Sequence, residues 1–113
     1  MKETNWTQEF PAAITVCNAE GIILEMNNAA AKVFAKDGGA DLVGTNVLDC
    51  HPEPSRTKLS EMLQKAEPNV YTIEKNGQKK MIYQCPWYEN NEYRGYVEFA
   101  LILPEKMPHF IRK

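Results

Sequence analysis

The chain has 113 residues, 43% of them apolar and 25% charged, which is the make-up of one folded domain and too little chain for two. Thirteen Lys and Arg stand against fifteen Asp and Glu, a net charge of −2, so no basic excess is available to neutralise a phosphate backbone and no nucleic-acid partner is expected. Cys17, Cys50 and Cys85 are widely spaced and form no Cys-x-x-Cys pair, which fits reduced thiols in a cytoplasm rather than a disulfide scaffold or a zinc site. The opening stretch mixes Lys2, Glu3, Gln8 and Glu9 and lacks the apolar region of a signal peptide. The longest apolar run, Phe99 to Leu103, falls far short of the roughly 20 residues that cross a bilayer, so a cytoplasmic protein without a membrane partner is expected.

The first elements are two short β-rich runs, Ile14 to Cys17 and Ile22 to Leu24, joined by Asn18-Ala19-Glu20-Gly21. Asn and Gly at the ends of that turn are expected to supply left-handed backbone for a hairpin.

Helices and loops follow from Asn27 to Glu67. Asn27 or Asn28 caps a helix over Ala29 to Phe34, and Gly38 and Gly39 stop it. A short helical turn is expected within Asp41 to Asp49. Pro52 and Pro54 break the chain before a second helix that starts near Ser55. Leu59, Met62, Leu63 and Ala66 form one apolar stripe along it, and Pro68 ends it.

The last block is a meander. Val70 to Glu74 leads through Asn76-Gly77 into Lys79 to Tyr88, and the polar turn Glu89 to Glu92 leads into Tyr93 to Leu103. Alternation puts Met81, Tyr83, Cys85 and Trp87 on one face of the middle strand and Ile82 and Gln84 on the other. In the last strand Val97, Phe99, Leu101 and Leu103 share a face opposite Tyr96, Glu98 and Ala100. The more apolar face is expected to meet the helices. The class is α+β, a five-stranded antiparallel sheet with helices on one face.

Two strands, helices and a three-stranded meander are also the order of elements in a PAS domain, and residues from about 10 to 103 resemble that family. Ala13 to Ala30 is similar to its opening hairpin running into an Asn-capped helix. Gly44 to Glu53 resembles the segment before its long helix, and Gly95-Tyr96-Val97-Glu98-Phe99 resembles its last strand. The resemblance implies a single sensory module with short tails, no enzyme activity, and a small-molecule ligand or cofactor held between sheet and helices. It also implies a homodimer or a separate signalling protein as partner. Leu103-Pro104-Glu105-Lys106-Met107-Pro108 stands where many members run into a signalling helix, and its two prolines suit such a helix poorly, so output is expected to pass to a separate protein or through self-association.

The expected wall of a ligand pocket is Tyr71, Tyr83, Cys85, Trp87 and Phe99 from the sheet, with Cys50, His51 and Met62 from the helical side. A packed core is the plainer expectation, because an empty cavity costs about 24 cal/mol per Å³. Ile82, Tyr96, Ala100 and Ile102 on the other sheet face, with Trp6 and Phe10 beside them, are expected to meet a partner or a second copy.

Two further readings attach to Cys50-His51. His51 could bind haem iron, as in haem-sensing PAS proteins, although it precedes Pro52 rather than lying within the long helix; otherwise it bonds to backbone at the helix entrance. A thiol enzyme built on Cys50 needs His51 within hydrogen-bond reach, and neighbours in extended chain point apart. The photosensory branch of the family carries an Asn-Cys-Arg-Phe-type segment, and Asn46-Val47-Leu48-Asp49-Cys50 departs from it, so photoreactive flavin is not expected. No metal cluster is suggested by the spacing of His, Cys and acidic residues.

Overall fold

The computed structural model describes residues 4–113; Met1, Lys2 and Glu3 lie outside the described residues. Five strands form one antiparallel sheet: β1 (Ala13–Asn18), β2 (Ile23–Met26), β3 (Asn69–Lys75), β4 (Gln78–Glu89) and β5 (Glu92–Ile102). Their order across the sheet is β2-β1-β5-β4-β3, so the first and last strands of the chain pair at its centre. Between β2 and β3 lie α1 (Asn28–Val33), 3-10 turns at Ala35–Asp37, Gly39–Leu42 and Val47–Cys50, and α2 (Ser55–Lys65).

Short-range chemistry shapes most of these elements. The β3–β4 turn has Asn76 and Gly77 both at positive φ, and the β4–β5 turn has Asn90 and Asn91 both at positive φ, as two-residue hairpins require. The β1–β2 turn differs from expectation: only Gly21 is left-handed, while the side chain of Asn18 accepts from the amides of Glu20 (3.0 Å) and Ile22 (2.9 Å). Asn18 thus builds the turn as a side-chain acceptor. Helix α2 ends at Ala66, itself left-handed at φ 54, ahead of Pro68.

Asn27 ties the start of the chain together. It is 4% exposed; its Oδ1 accepts from Ala30 N (3.0 Å) and Ile14 N (2.9 Å), and its Nδ2 donates to the carbonyls of Thr7 (2.9 Å) and Ala12 (2.8 Å). One side chain therefore caps α1, joins it to β1 and secures the N-terminal segment. On the far side, Thr45 O accepts from Ile23 N, and Val47 N donates to Gly21 O, so the loop before α2 is stitched to β2.

Candidate functional site

The sheet and the helical segments leave a cavity of 380 Å³ between them. Its sheet side is formed by Ala13 and Thr15 of β1, Tyr71 and Ile73 of β3, Lys80, Ile82 and Gln84 of β4, and Glu98 and Ala100 of β5. Val33 and Phe34 at the end of α1, with Asp37, Leu42, Val47, Cys50 and His51, close the other side. A smaller lobe of 70 Å³ shares Thr15, Val47, His51, Gln84 and Glu98 and continues toward Leu59, Met62, Leu63, Cys17 and Tyr96.

Of the expected pocket residues, Cys50, His51, Met62 and Tyr71 line this space. Tyr83, Cys85, Trp87 and Phe99 do not. Tyr83 pairs with Phe99, Cys85 with Val97 and Met81 with Leu101, and this set occupies the sheet face turned away from the helices. Ile82, Tyr96 and Ala100, expected at a partner surface, instead face the cavity. Ile82 and Tyr96 are each 6% exposed, whereas Ile102, beyond the cavity on the same strand, is exposed. The two faces of the sheet are therefore exchanged relative to expectation. The helices cover the face that carries Thr15, Gln84, Glu98 and Lys80, and the more apolar face is left outward with Tyr83 and Val70 exposed. Trp6 and Phe10 stack edge to face at 5.5 Å in the N-terminal segment, and neither lines the cavity.

Tyr96 and Tyr93 fasten α2 to the sheet. The Tyr96 hydroxyl lies 2.7 Å from Met62 O and 2.6 Å from Glu67 O, and its one hydrogen serves the two carbonyls; Tyr93 donates to Leu63 O at 2.8 Å. These are carbonyls at the C-terminal end of α2, which include groups with no partner inside the helix. Burial pushes the Tyr93 phenol up to about 12 and raises that of Tyr96 as well. Cys17, Leu63 and Tyr96 form the buried cluster beneath this clasp, and burial also raises the Cys17 thiol.

His51 closes the Val47–Cys50 turn, and its Nδ1–H donates to Val47 O at 2.6 Å, the backbone bond expected at this position. That bond turns the ring nitrogen to a carbonyl, not to the Cys50 thiol. Sequence reasoning missed Glu98, Gln84, Thr15 and Lys80 as cavity residues. Glu98 was marked by its place in the middle of an otherwise apolar central strand, and burial raises its carboxyl while Gln84 and then His51 hold it down. Among the described residues no group of three His, Cys, Asp or Glu side chains is gathered to hold a metal ion, and no helix is long and apolar enough to cross a membrane.

Residues 7–69 match the family described as PAS fold, more than half of the chain. The chain belongs to the PAS family. No curated protein matches its sequence. Among solved structures, the PAS chain is similar to the Aer2 receptor of Vibrio cholerae, described as a dual PAS-heme oxygen sensor. The likeness has a TM-score of 0.65 at 19% identity and covers 82% of this chain and 95% of that one. A C-terminal domain from Streptococcus mutans gives 0.68 at 20% identity, covering 85% and 78% of the two chains. The PAS domain of BvgS from Bordetella pertussis gives 0.61 at 19%, covering 88% and 82%. At these identities the likeness is one of fold, and that shared fold includes the meander beyond residue 69.

Proposed function

We propose that this PAS domain is a non-enzymatic sensory module that takes a small molecule into the cavity between sheet and helices and passes the resulting change to a partner or a second copy. The observation that carries the reading is the 380 Å³ cavity itself, a partly open, mainly apolar cleft with a few convergent polar groups, within the size range of small-molecule sites. Because α2 is fastened at its C-terminal end by Tyr93 and Tyr96, and His51 and Cys50 line the cavity just ahead of it, a ligand that favours one seating of this segment shifts its equilibrium. The outward sheet face, with Tyr83, Val70 and the Phe99 strand, supports contact with a partner or homodimer mate.

The haem reading finds less support. His51 lines the cavity with Nδ1 held by Val47 O, which leaves Nε2 as a free ligand atom. The opposing floor, however, carries the Glu98 carboxyl between Thr15 and Gln84, and a porphyrin face laid there would desolvate it. The residues do not fit haem. A thiol enzyme also fits poorly, because the His51 Nδ1 is committed to backbone rather than to Cys50.

Thermal shift of the purified protein against fractions of a cytosolic metabolite extract, with mass spectrometry of whatever copurifies, tests the reading. At least one fraction should raise the melting temperature of the wild type and leave Ala100→Leu unmoved, since the added side chain occupies the cavity floor. Absence of any shift and of any copurifying molecule would overturn it.

A further inference from the structure

The inner face of the sheet carries a polar row where a packed core would carry apolar side chains. Thr15 stands opposite Glu98, Glu98 opposite Gln84, and Gln84 opposite Asn69, so the row crosses β1, β5, β4 and β3. Asn69 Nδ2 donates to Gln84 Oε1 at 3.0 Å, which engages the acceptor of Gln84 and leaves its NH2 group for the neighbouring strand, where Glu98 stands opposite. The relay thus points at an acceptor, the Glu98 carboxylate.

A carboxylate offers about four lone-pair sites, and the Gln84 amide opposite can serve one of them. Among the described residues no ion pair includes Glu98. Lys80, the lysine of the cavity wall, stands four residues along β4 from Gln84, about 13 Å away along an extended strand. Around Glu98 the cavity adds a further acceptor and an aromatic ring: Thr15 offers its hydroxyl oxygen, and Tyr71 presents its ring from β3. Ile82, Ala100, Leu42 and Phe34 supply the apolar wall.

We infer that the cavity takes a small organic ammonium compound, with its protonated amine on Glu98 and its apolar body against Ile82, Ala100 and Phe34. This rests on the ligand-binding reading above and adds the chemical class of the ligand. An anion would be repelled by Glu98, and a neutral apolar compound would strip water from the carboxylate and give nothing in return.

Calorimetric titration of the whole chain with phenethylamine, its neutral counterpart 2-phenylethanol and its anionic counterpart 3-phenylpropionate tests the assignment, with amide chemical shifts of Ile82 and Ala100 locating the contact. The amine should bind at least about tenfold tighter than either counterpart, the factor expected of a hydrogen bond to a charged group. Glu98→Gln should abolish that preference and leave 2-phenylethanol unchanged. Gln84→Leu, which cuts the relay and keeps the carboxylate, should reduce the preference in a second background. Equal or tighter cavity binding by the alcohol or the acid, or an amine preference that survives Glu98→Gln, overturns the ammonium assignment and leaves the ligand-binding reading standing. Failure of all three to bind also overturns the assignment. The broader reading falls only if the metabolite extract is silent too.

Discussion

The indole of Trp87 donates its Nε1–H to the carbonyl of Cys17 at 3.0 Å, joining β4 to β1 across the strand that lies between them. It spans β5 at Gly95, the residue paired with both Trp87 and Asn18. Gly95 has φ 152, and a Cβ there would sit 2.0 Å from Cys17 O and 2.6 Å from Asn18 C. Both atoms are backbone, so neither can rotate away. Gly95→Ala is therefore expected to destabilise the domain by about 3 kcal/mol, the upper part of the ordinary range for point substitutions. Trp87→Phe, which removes only the bond, should cost about 1 kcal/mol. Urea denaturation of the two variants checks the order; a Gly95→Ala protein as stable as Trp87→Phe would contradict it.

Tyr96→Phe separates the clasp on α2 from the packing of the ring. The ring stays in the buried cluster while Glu67 O loses the hydroxyl and Met62 O keeps only the Ala66 amide. A loss of about 1–2 kcal/mol is expected, with faster hydrogen exchange confined to the C-terminal turn of α2. Uniform exchange throughout the sheet would show that the hydroxyl acts on global stability instead.

Tyr93 gives the domain an alkaline limit. Its folded phenol is raised from 10.0 to about 12, chiefly by burial, so between those values the unfolded chain has released a proton that the folded chain still holds. The unfolded state then binds fewer protons, and stability falls as pH rises from about 10 toward 12. Tyr93→Phe should flatten this fall, leaving the part due to Tyr96. Urea midpoints measured from pH 9 to 12 in both proteins check the slope; parallel curves would remove Tyr93 from the account.

Glu98 carries the same kind of cost, already present at neutral pH. Burial raises its carboxyl above 4.5, so the folded state favours the protonated form, and the stability tied to that form is present at low pH and lost as pH rises through the folded value. The groups that face it are His51 from the Val47–Cys50 turn, Tyr71 from β3 and Cys17 from β1; of these His51 holds the carboxyl down, while burial raises Tyr71 and Cys17 and Glu98 adds to both. Because no ion pair among the described residues offsets that burial, Glu98→Gln should raise the urea midpoint of the ligand-free protein at pH 7, and the gain should shrink toward pH 4. A variant less stable than wild type at pH 7 would show that the charge supports the fold rather than a ligand.

Much of the architecture was legible in the residues because it depends on neighbours in the chain. Asn76-Gly77 and the Asn90-Asn91 pair turn the chain through their own left-handed backbone, and Asn27 caps α1 three residues on. Cys50 and His51 could be placed at the pocket for a related reason, since they close the turn ahead of α2, and Met62 lies on the apolar stripe of that helix; Tyr71 reaches the cavity opposite Ile82, on the other face from its expected companion Tyr83. Glu98 could not be placed. Alternation in β5 sorts Val97, Phe99 and Leu101 from Tyr96, Glu98 and Ala100, yet it has the same period whichever face the helices cover.

By itself, then, the amino-acid sequence determined the order and type of the elements, the five-stranded α+β class and the PAS family, since turns, caps and periodicity act over a few residues. Only the tertiary structure decided which face of the sheet is inside. That choice is made by Tyr93 and Tyr96 reaching the carbonyls of α2, and by Gly95 letting β1, β5 and β4 come together under Trp87. These contacts join residues some 30 to 70 positions apart. They turn the Thr15–Glu98–Gln84 row into the cavity and leave the more apolar face outward, because satisfying buried polar groups through specific partners outweighs a simple ranking of faces by hydrophobicity.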